Sequence, residues 1–252
     1  MTGSEGITIT TCAERPELIG RLDGLDSLWP PFMTHDPLGE ALLGRVPHEF
    51  PQYCVVATHE GRVVARGLSV PFDAGSPDRE ETPARGWDGV LVWSFQDRHE
   101  GRSPTVASAL EITVDRGHLG RGLSHRMLAA LRDAAGRQGH GTLLAPVRPT
   151  EKHLRPRMPM DAYVRERRGD GLPADPWLRV HVRAGGVVEK IAPASMTIGG
   201  SLADWRRWTG LPFDRDGEVE VPGALVPVHC DTARDHAVYV EPNVWVRHRT
   251  GR

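Results

Sequence analysis

The chain has 252 residues, 31 basic against 33 acidic side chains, a formal net charge of −2 and a hydrophobic share of 39%. That is chain enough for one large domain with a real core and too apolar for disorder. It also lacks the basic excess with which a dedicated nucleic-acid binder captures phosphates. No apolar run nears the ~20 residues that cross a bilayer, and no basic-then-apolar leader opens the chain, so neither a membrane nor nucleic acid is an expected partner.

The cysteines, Cys12, Cys54 and Cys230, are odd in number and far apart. This spacing predicts no disulfide framework and a reducing, cytoplasmic setting. The only lysines are Lys152 and Lys190, every other basic residue being arginine. A GC-rich genome explains that bias better than chemistry does.

In chain order, residues 7–11 alternate Ile with Thr and read as a short strand. A helix is predicted over 16–26, with Leu18, Ile19, Leu22 and Leu25 at helical spacing. Pro30-Pro31 ends it, and a second short helix is expected over 37–43. Two β-rich runs, 53–58 and 63–70, flank Glu60-Gly61-Arg62 and predict an antiparallel hairpin. Residues 73–87 read as a polar loop. A short helix over 88–96 follows and turns Trp87 and Trp93 toward a pocket or the core.

A strand over 107–114, a glycine-rich turn over 117–122 and a helix over 123–137 come next. The helix gathers Leu123, Met127, Leu128, Leu131, Ala134 and Ala135 on one face. Gly139-His140-Gly141 stops it, and 142–147 reads as a buried strand. Residues 149–176, rich in Pro, Arg and Gly, predict a long inserted loop. Beyond it lie a helix over 177–184, strands over 187–191 and 195–198, and a helix through Trp208 opened by the capping pair Ser201 and Asp204. Closing strands are expected over 224–229 and 237–247. One α/β domain over 1–252 with a mixed sheet is the simplest arrangement.

The strand, glycine turn and helix over 107–137 carry the most information. Such a turn aims successive backbone N–H groups into one concavity, and the helix start adds its own unpaired donors. Glycine lets the backbone approach an anion with no Cβ in the way. A phosphate or diphosphate seat results. A ligand-free connection softened by glycine fits the same residues. A nucleotide P-loop would need Gly-Lys-Ser or Gly-Lys-Thr, and no lysine stands here. The spacing of Gly117, Gly120 and Gly122 also misses the dinucleotide fingerprint.

The segment Val114-Asp115-Arg116-Gly117-His118-Leu119-Gly120-Arg121-Gly122-Leu123-Ser124 resembles the acyl-CoA signature of the GCN5-related N-acetyltransferase (GNAT) superfamily. That signature is a strand ending in Val, then Arg/Gln-x-x-Gly-x-Gly/Ala opening a helix. Gly122 holds the central glycine. Leu119 replaces the usual Arg or Gln, and Ser124 the usual Gly or Ala. The preceding hairpin, the following buried strand and the next helix ending in Gly fit as well, from about residue 50 to 200.

The resemblance implies a mixed, mostly antiparallel sheet flanked by helices, with the long loop inserted before the second signature helix. It further implies acetyl-CoA or another acyl-CoA as cosubstrate. The diphosphate would rest on Leu119, Gly120, Arg121, Gly122, Leu123 and Ser124, and the pantetheine arm would run along Ile112, Thr113 and Val114. The activity implied is N-acylation of a small-molecule amine by direct attack in a ternary complex. A module of the same fold that binds coenzyme A or another diphosphate without turnover is the alternative, which the altered Leu119 makes conceivable.

Amide formation needs a base for the amine and a proton source for the departing thiolate. Glu111 stands where family members often carry an acid, and it reads equally as a strand residue at solvent or paired with an arginine. The family's following helix often ends Tyr-x-x-x-Gly. Aligning that glycine with Gly185 puts His181 at the Tyr position, where an imidazole cycling near neutrality would serve as acid; a helix histidine bonded to backbone fits too. Tyr239 and Glu241 either line the acceptor site or pack.

Lys152, His153, Arg155, Arg157, Arg165, Arg167 and Arg168 form either a solvated charged loop or a cover over an anion. No His-x-x-x-His with an acidic neighbour and no Cys-x-x-Cys supports a metal. His229-Cys230, adjacent in sequence, lacks the geometry of a catalytic pair, and no Gly-x-Ser-x-Gly elbow occurs. The acceptor, acyl length and a homodimer are left open.

Overall fold

The computed structural model describes residues 6–25 and 29–251. Strand β1 (Ile7–Thr11) leads into a 3-10 helix, Pro16–Gly24, in place of the α-helix expected over 16–26; residue 26 lies outside the described residues. Its Leu18 and Leu22 are buried as the spacing predicted. Helix α1 (Pro37–Leu42) starts on the Asp36 carboxylate, which accepts from Gly39 N, and α2 (Val46–Glu49) follows. Strands β2 (Val55–His59) and β3 (Arg62–Phe72) form the predicted hairpin.

Helix α3 (Gly86–Glu100) runs past the expected 88–96 at both ends and stops at Gly101, which takes the left-handed conformation. Strand β4 (Val106–Val114), helix α4 (Leu123–Arg137) and strand β5 (Thr142–Val147) fall where the periodicity places them. All six apolar residues named on the face of α4 are buried, and the helix lies over β1 to β5.

Residues 149–176 correct the expectation of a plain loop. They hold a 3-10 turn at Lys152–Leu154, helix α5 (Met160–Arg165) and a β-bridge between Arg167 and Pro173. Helix α6 (Pro176–Arg183) follows. The two strands expected over 187–198 are one, β6 (Val187–Gly200); it absorbs Pro193 through register shifts against its neighbour, so the proline interrupts no ladder position. Helix α7 (Leu202–Thr209) opens on the predicted Ser201–Asp204 capping box. At the end come a short β7 (Gly217–Val219) that the sequence did not announce, β8 (Val228–Asp231) rather than 224–229, and β9 (His236–Arg249).

The strands form one mixed, mostly antiparallel sheet in the order β1-β2-β3-β4-β5-β9-β8-β7. Strand β9 is its hub. One of its edges pairs with β8 and then β5, and the other carries β6 along most of its length. Only β4 and β5 run parallel, and they touch at just two register positions, Ala107–Leu143 and Ser108–Leu144. Past those pairs the two strands diverge. The buried residues form one cluster that runs from Cys12 to Val246.

Candidate active site

The divergence of β4 from β5 makes the site. Beyond Ser108 the β5-facing edge of β4 has no strand partner, and a cavity of about 320 Å³ occupies the gap. A β-bulge sharpens the opening, since Leu68 faces Glu111 and Ser69 faces Ala109, leaving Leu110 as the extra residue. The carbonyl of Leu110 accepts from the Trp87 indole, 3.0 Å away, so the first turn of α3 pins the bulge. Ile112, Val114, Leu119 and Ser124 line the same cavity.

The turn into α4 has the geometry that an anion seat would need. Gly120 and Gly122 have φ of +73° and +74°, and a Cβ on either would meet nothing within 4 Å. The left-handed conformation explains why glycine stands at both positions. No side chain caps α4, and its first turn holds no acid. Its leading N–H groups therefore keep their capacity for a ligand. Asp115 turns away from this start to accept from Gly117 N and to meet His118 Nδ1. The backbone donors of 119–124 and the strand edge at 112–114 fit the diphosphate and arm of coenzyme A by donor chemistry and by room.

Glu111 lines the cavity and is buried. Arg66 holds it with both ends of its fork, Nε 2.8 Å from Oε1 and Nη2 3.3 Å from Oε2, and the Thr113 hydroxyl donates to Oε1. A carboxylate offers about four acceptor positions. Oε2 retains one of them among the described residues.

His181 also lines the cavity, on the last turn of α6, beside Trp177. It is 2% exposed, and its Nδ1 meets Nε2 of His248 at 2.8 Å. Burial first, and then the neighbouring His248, hold its pKa well below the usual 6.5. The ring is neutral at pH 7 rather than cycling near neutrality. The structure thus brings Glu111, His181, Ile112, Val114, Leu119 and Ser124 to one cavity. Thr113 is not among the lining residues; its hydroxyl bonds Glu111.

Glu241 also lines the cavity and is fully buried. It accepts from Arg148 Nε at 2.9 Å, from the Tyr239 hydroxyl at 2.7 Å and from Asn243 Nδ2 at 3.0 Å. Asn243 in turn accepts from Ser195, whose hydroxyl accepts from Trp87 N. Tyr239 packs against Phe32, and burial and the Glu241 charge drive its pKa well above 10. Arg148, Asn243 and Trp29 line the cavity too, and the sequence reading missed them. A signal existed for one of them: Glu241 and Asn243 are polar residues two apart in the largely apolar stretch 237–246 of β9.

In the basic segment over 152–168 the arginines are exposed, as a solvated charged segment requires, and Lys152 is the exception. Lys152 is fully buried, its ammonium donating to the carbonyls of Arg155, Pro156 and Leu225. Arg155 pairs with Glu166, Arg157 with Glu218 and Glu220, and Arg165 with Asp161. Among the described residues no group of three His, Cys, Asp or Glu is placed to hold a metal, and no helix is long and apolar enough to cross a membrane.

No family model matches the chain. Across 276 aligned positions it is 34% identical to the arginine N-acetyltransferase avaD of Aspergillus versicolor, covering 96% of this chain and 94% of that one. The loading GNATL domain of CurA from Lyngbya majuscula has the same fold, with a TM-score of 0.60 at 17% identity over 97% of this chain and 98% of that one. The GphF GNAT-like decarboxylase in complex with isobutyryl-CoA gives 0.56 at 16%, over 97% and 98%. At such identities these two structures speak for the fold alone.

The chain belongs to the GCN5-related N-acetyltransferase superfamily. It is an acyl-CoA-dependent N-acyltransferase of small amines, and the reading as a module without turnover is set aside.

Proposed function

We propose that this enzyme takes its acyl group from acetyl-CoA and passes it directly, within a ternary complex, to arginine or a close guanidino amine. One observation carries the acceptor reading: the cavity lining holds the contacting indoles of Trp29 and Trp87 and the linked side chains of Glu241 and Arg148. Indole faces suit a delocalised cation, and a guanidinium suits a carboxylate. A basic amino acid carries both groups. The relative whose name specifies arginine supports the same class.

Bound acyl-CoA supplies an acyl group already activated as a thioester. Backbone N–H groups over 119–124 hold its diphosphate, and the strand edge Ile112, Thr113 and Val114 orients its arm. Peptide N–H groups at the bulge, fixed in advance by Trp87, favour charge on the thioester oxygen. Glu111 takes the amine proton on Oε2, where an acceptor position is spare. His181 stands at the sulfur. The three cysteines, all free and buried, support a reducing cytoplasm as the place where this single catalytic domain works.

Thiol release from acetyl-CoA tests the acceptor against arginine, agmatine, lysine, glutamine and spermidine. Arginine or agmatine is expected to give the highest kcat/KM. A maximum on spermidine, or no preference for a guanidino group, discards the reading.

A further inference from the structure

We propose that His248 is a positioning residue that locks His181 in its Nε2–H tautomer, so that the cavity wall presents a neutral hydrogen-bond donor rather than a base. This rests on the reading of His181 as the group beside the thioester sulfur. His248 stands on β9, is fully buried and does not line the cavity. The Nδ1 edge of His181 turns toward it, and His181 itself lines the cavity, which leaves Nε2 as the only ring nitrogen a ligand there could meet. Gly186 makes this meeting possible. A Cβ there would fall 2.6 Å from His248 Cε1 and 2.7 Å from the His181 carbonyl.

One proton lies between the two rings, and it can sit on either nitrogen. His181 Nε2 and His248 Nδ1 are both buried with no hydrogen-bond partner among the described residues. Suppose His181 Nδ1 carries the shared proton. His248 must then bear its own proton on Nδ1, an orphaned N–H in a fully buried ring. Either arrangement leaves one buried N–H over, and such orphaned donors are costly. Only His181 lines the cavity, so a ligand can accept an N–H left on His181 Nε2 but not one left on His248 Nδ1.

In the reverse arrangement His248 donates from Nε2 and keeps only a bare lone pair on the buried side. His181 then carries its proton on Nε2, where a ligand in the cavity can accept it. A third state, with a proton added to either ring, is suppressed: burial, then the Arg132 charge, push His248 to about 4, and His181 lies well below 6.5. A neutral imidazole can stabilise developing charge by its N–H without giving up the proton. His181 would do so toward the departing sulfur, and the thiolate would take its proton from solvent.

Long-range ¹⁵N–¹H correlation on the full chain labelled at histidine reads the tautomers directly. Both His181 and His248 are expected as Nε2–H forms; an Nδ1–H signal on His181 overturns the assignment, whatever His181 does in turnover. His248→Phe is expected to lower kcat about tenfold, with the KM for acetyl-CoA changed less than about twofold. His248→Gln, whose amide N–H can replace the Nε2 donor, should recover most of that loss. Wild-type kcat in His248→Phe, or a Gln variant no better than Phe, also overturns it. His181→Phe with unchanged kcat would instead remove His181 from the sulfur while leaving the tautomer result standing.

Discussion

Helices α4 and α6 begin in opposite ways. Helix α6 starts on Asp175, whose carboxylate accepts from Trp177 N, Leu178 N, Glu151 N and the Tyr163 hydroxyl. Every acceptor position of that group is spent inside the protein, and the helix start is closed. Helix α4 starts on Gly122 with no capping side chain and no acid in its first turn. The same unsatisfied N–H groups exist at both ends. In one case the chain supplies the negative charge; in the other it supplies none, and the proposed diphosphate would take that place. The contrast with α6, which also lines the cavity and is capped so thoroughly, makes the uncapped start of α4 informative.

The contrast breaks most severely at Gly122. Gly122→Glu forces a side chain into the left-handed conformation and puts a carboxylate in the seat. Calorimetric titration is expected to show coenzyme A affinity down by at least about a thousandfold, some 4 kcal/mol. Retained affinity would mean that the α4 start holds no anion. Asp175→Ala attacks the closed end. It should cost about 3 kcal/mol of stability, read as a fall of several degrees in Tm, because four donors lose a charged acceptor together. Coenzyme A affinity should be retained; a parallel loss would show that the two helix starts act as one unit.

A subtler acid sharpens the same point. Asp88, in the first turn of α3, is buried and accepts from Thr197 N, while its Oδ1 has no partner. Burial first, then the charge of Asp36, push its pKa from 3.8 up to about 8. Between those values the folded chain keeps a proton that the unfolded chain has released. Stability therefore falls as pH rises through this window, by up to roughly 1.4 kcal/mol per pH unit. Denaturant unfolding at pH 5 and pH 8 should show this loss in the wild type and much less of it in Asp88→Asn. An unchanged slope in the variant would place the titration elsewhere.

Some of this was readable residue by residue. Helix α4 and strand β5 follow from their apolar periods, the capping box at Ser201 from two side chains three apart, and the seat from glycines between a strand and a helix. Each depends on neighbours a few residues away. The misreadings share the opposite property. Region 149–176 is ordered because Lys152 reaches the Leu225 carbonyl and Arg157 reaches Glu218, partners distant in sequence. Strand β6 stays whole across Pro193 because bulges against β9 accommodate it.

Chemistry divides along the same line. Periodicity, glycine placement and the acyl-CoA signature were enough to fix the family and its cosubstrate and to point to the proposed diphosphate seat, since a seat of backbone donors asks only for a local conformation. The cavity walls required the folded sheet. Arg148 meets Glu241 across 93 residues, and His181 meets His248 across 67. Pairings of that length leave no mark in any short window, because burial and strand register, rather than spacing, bring the groups together.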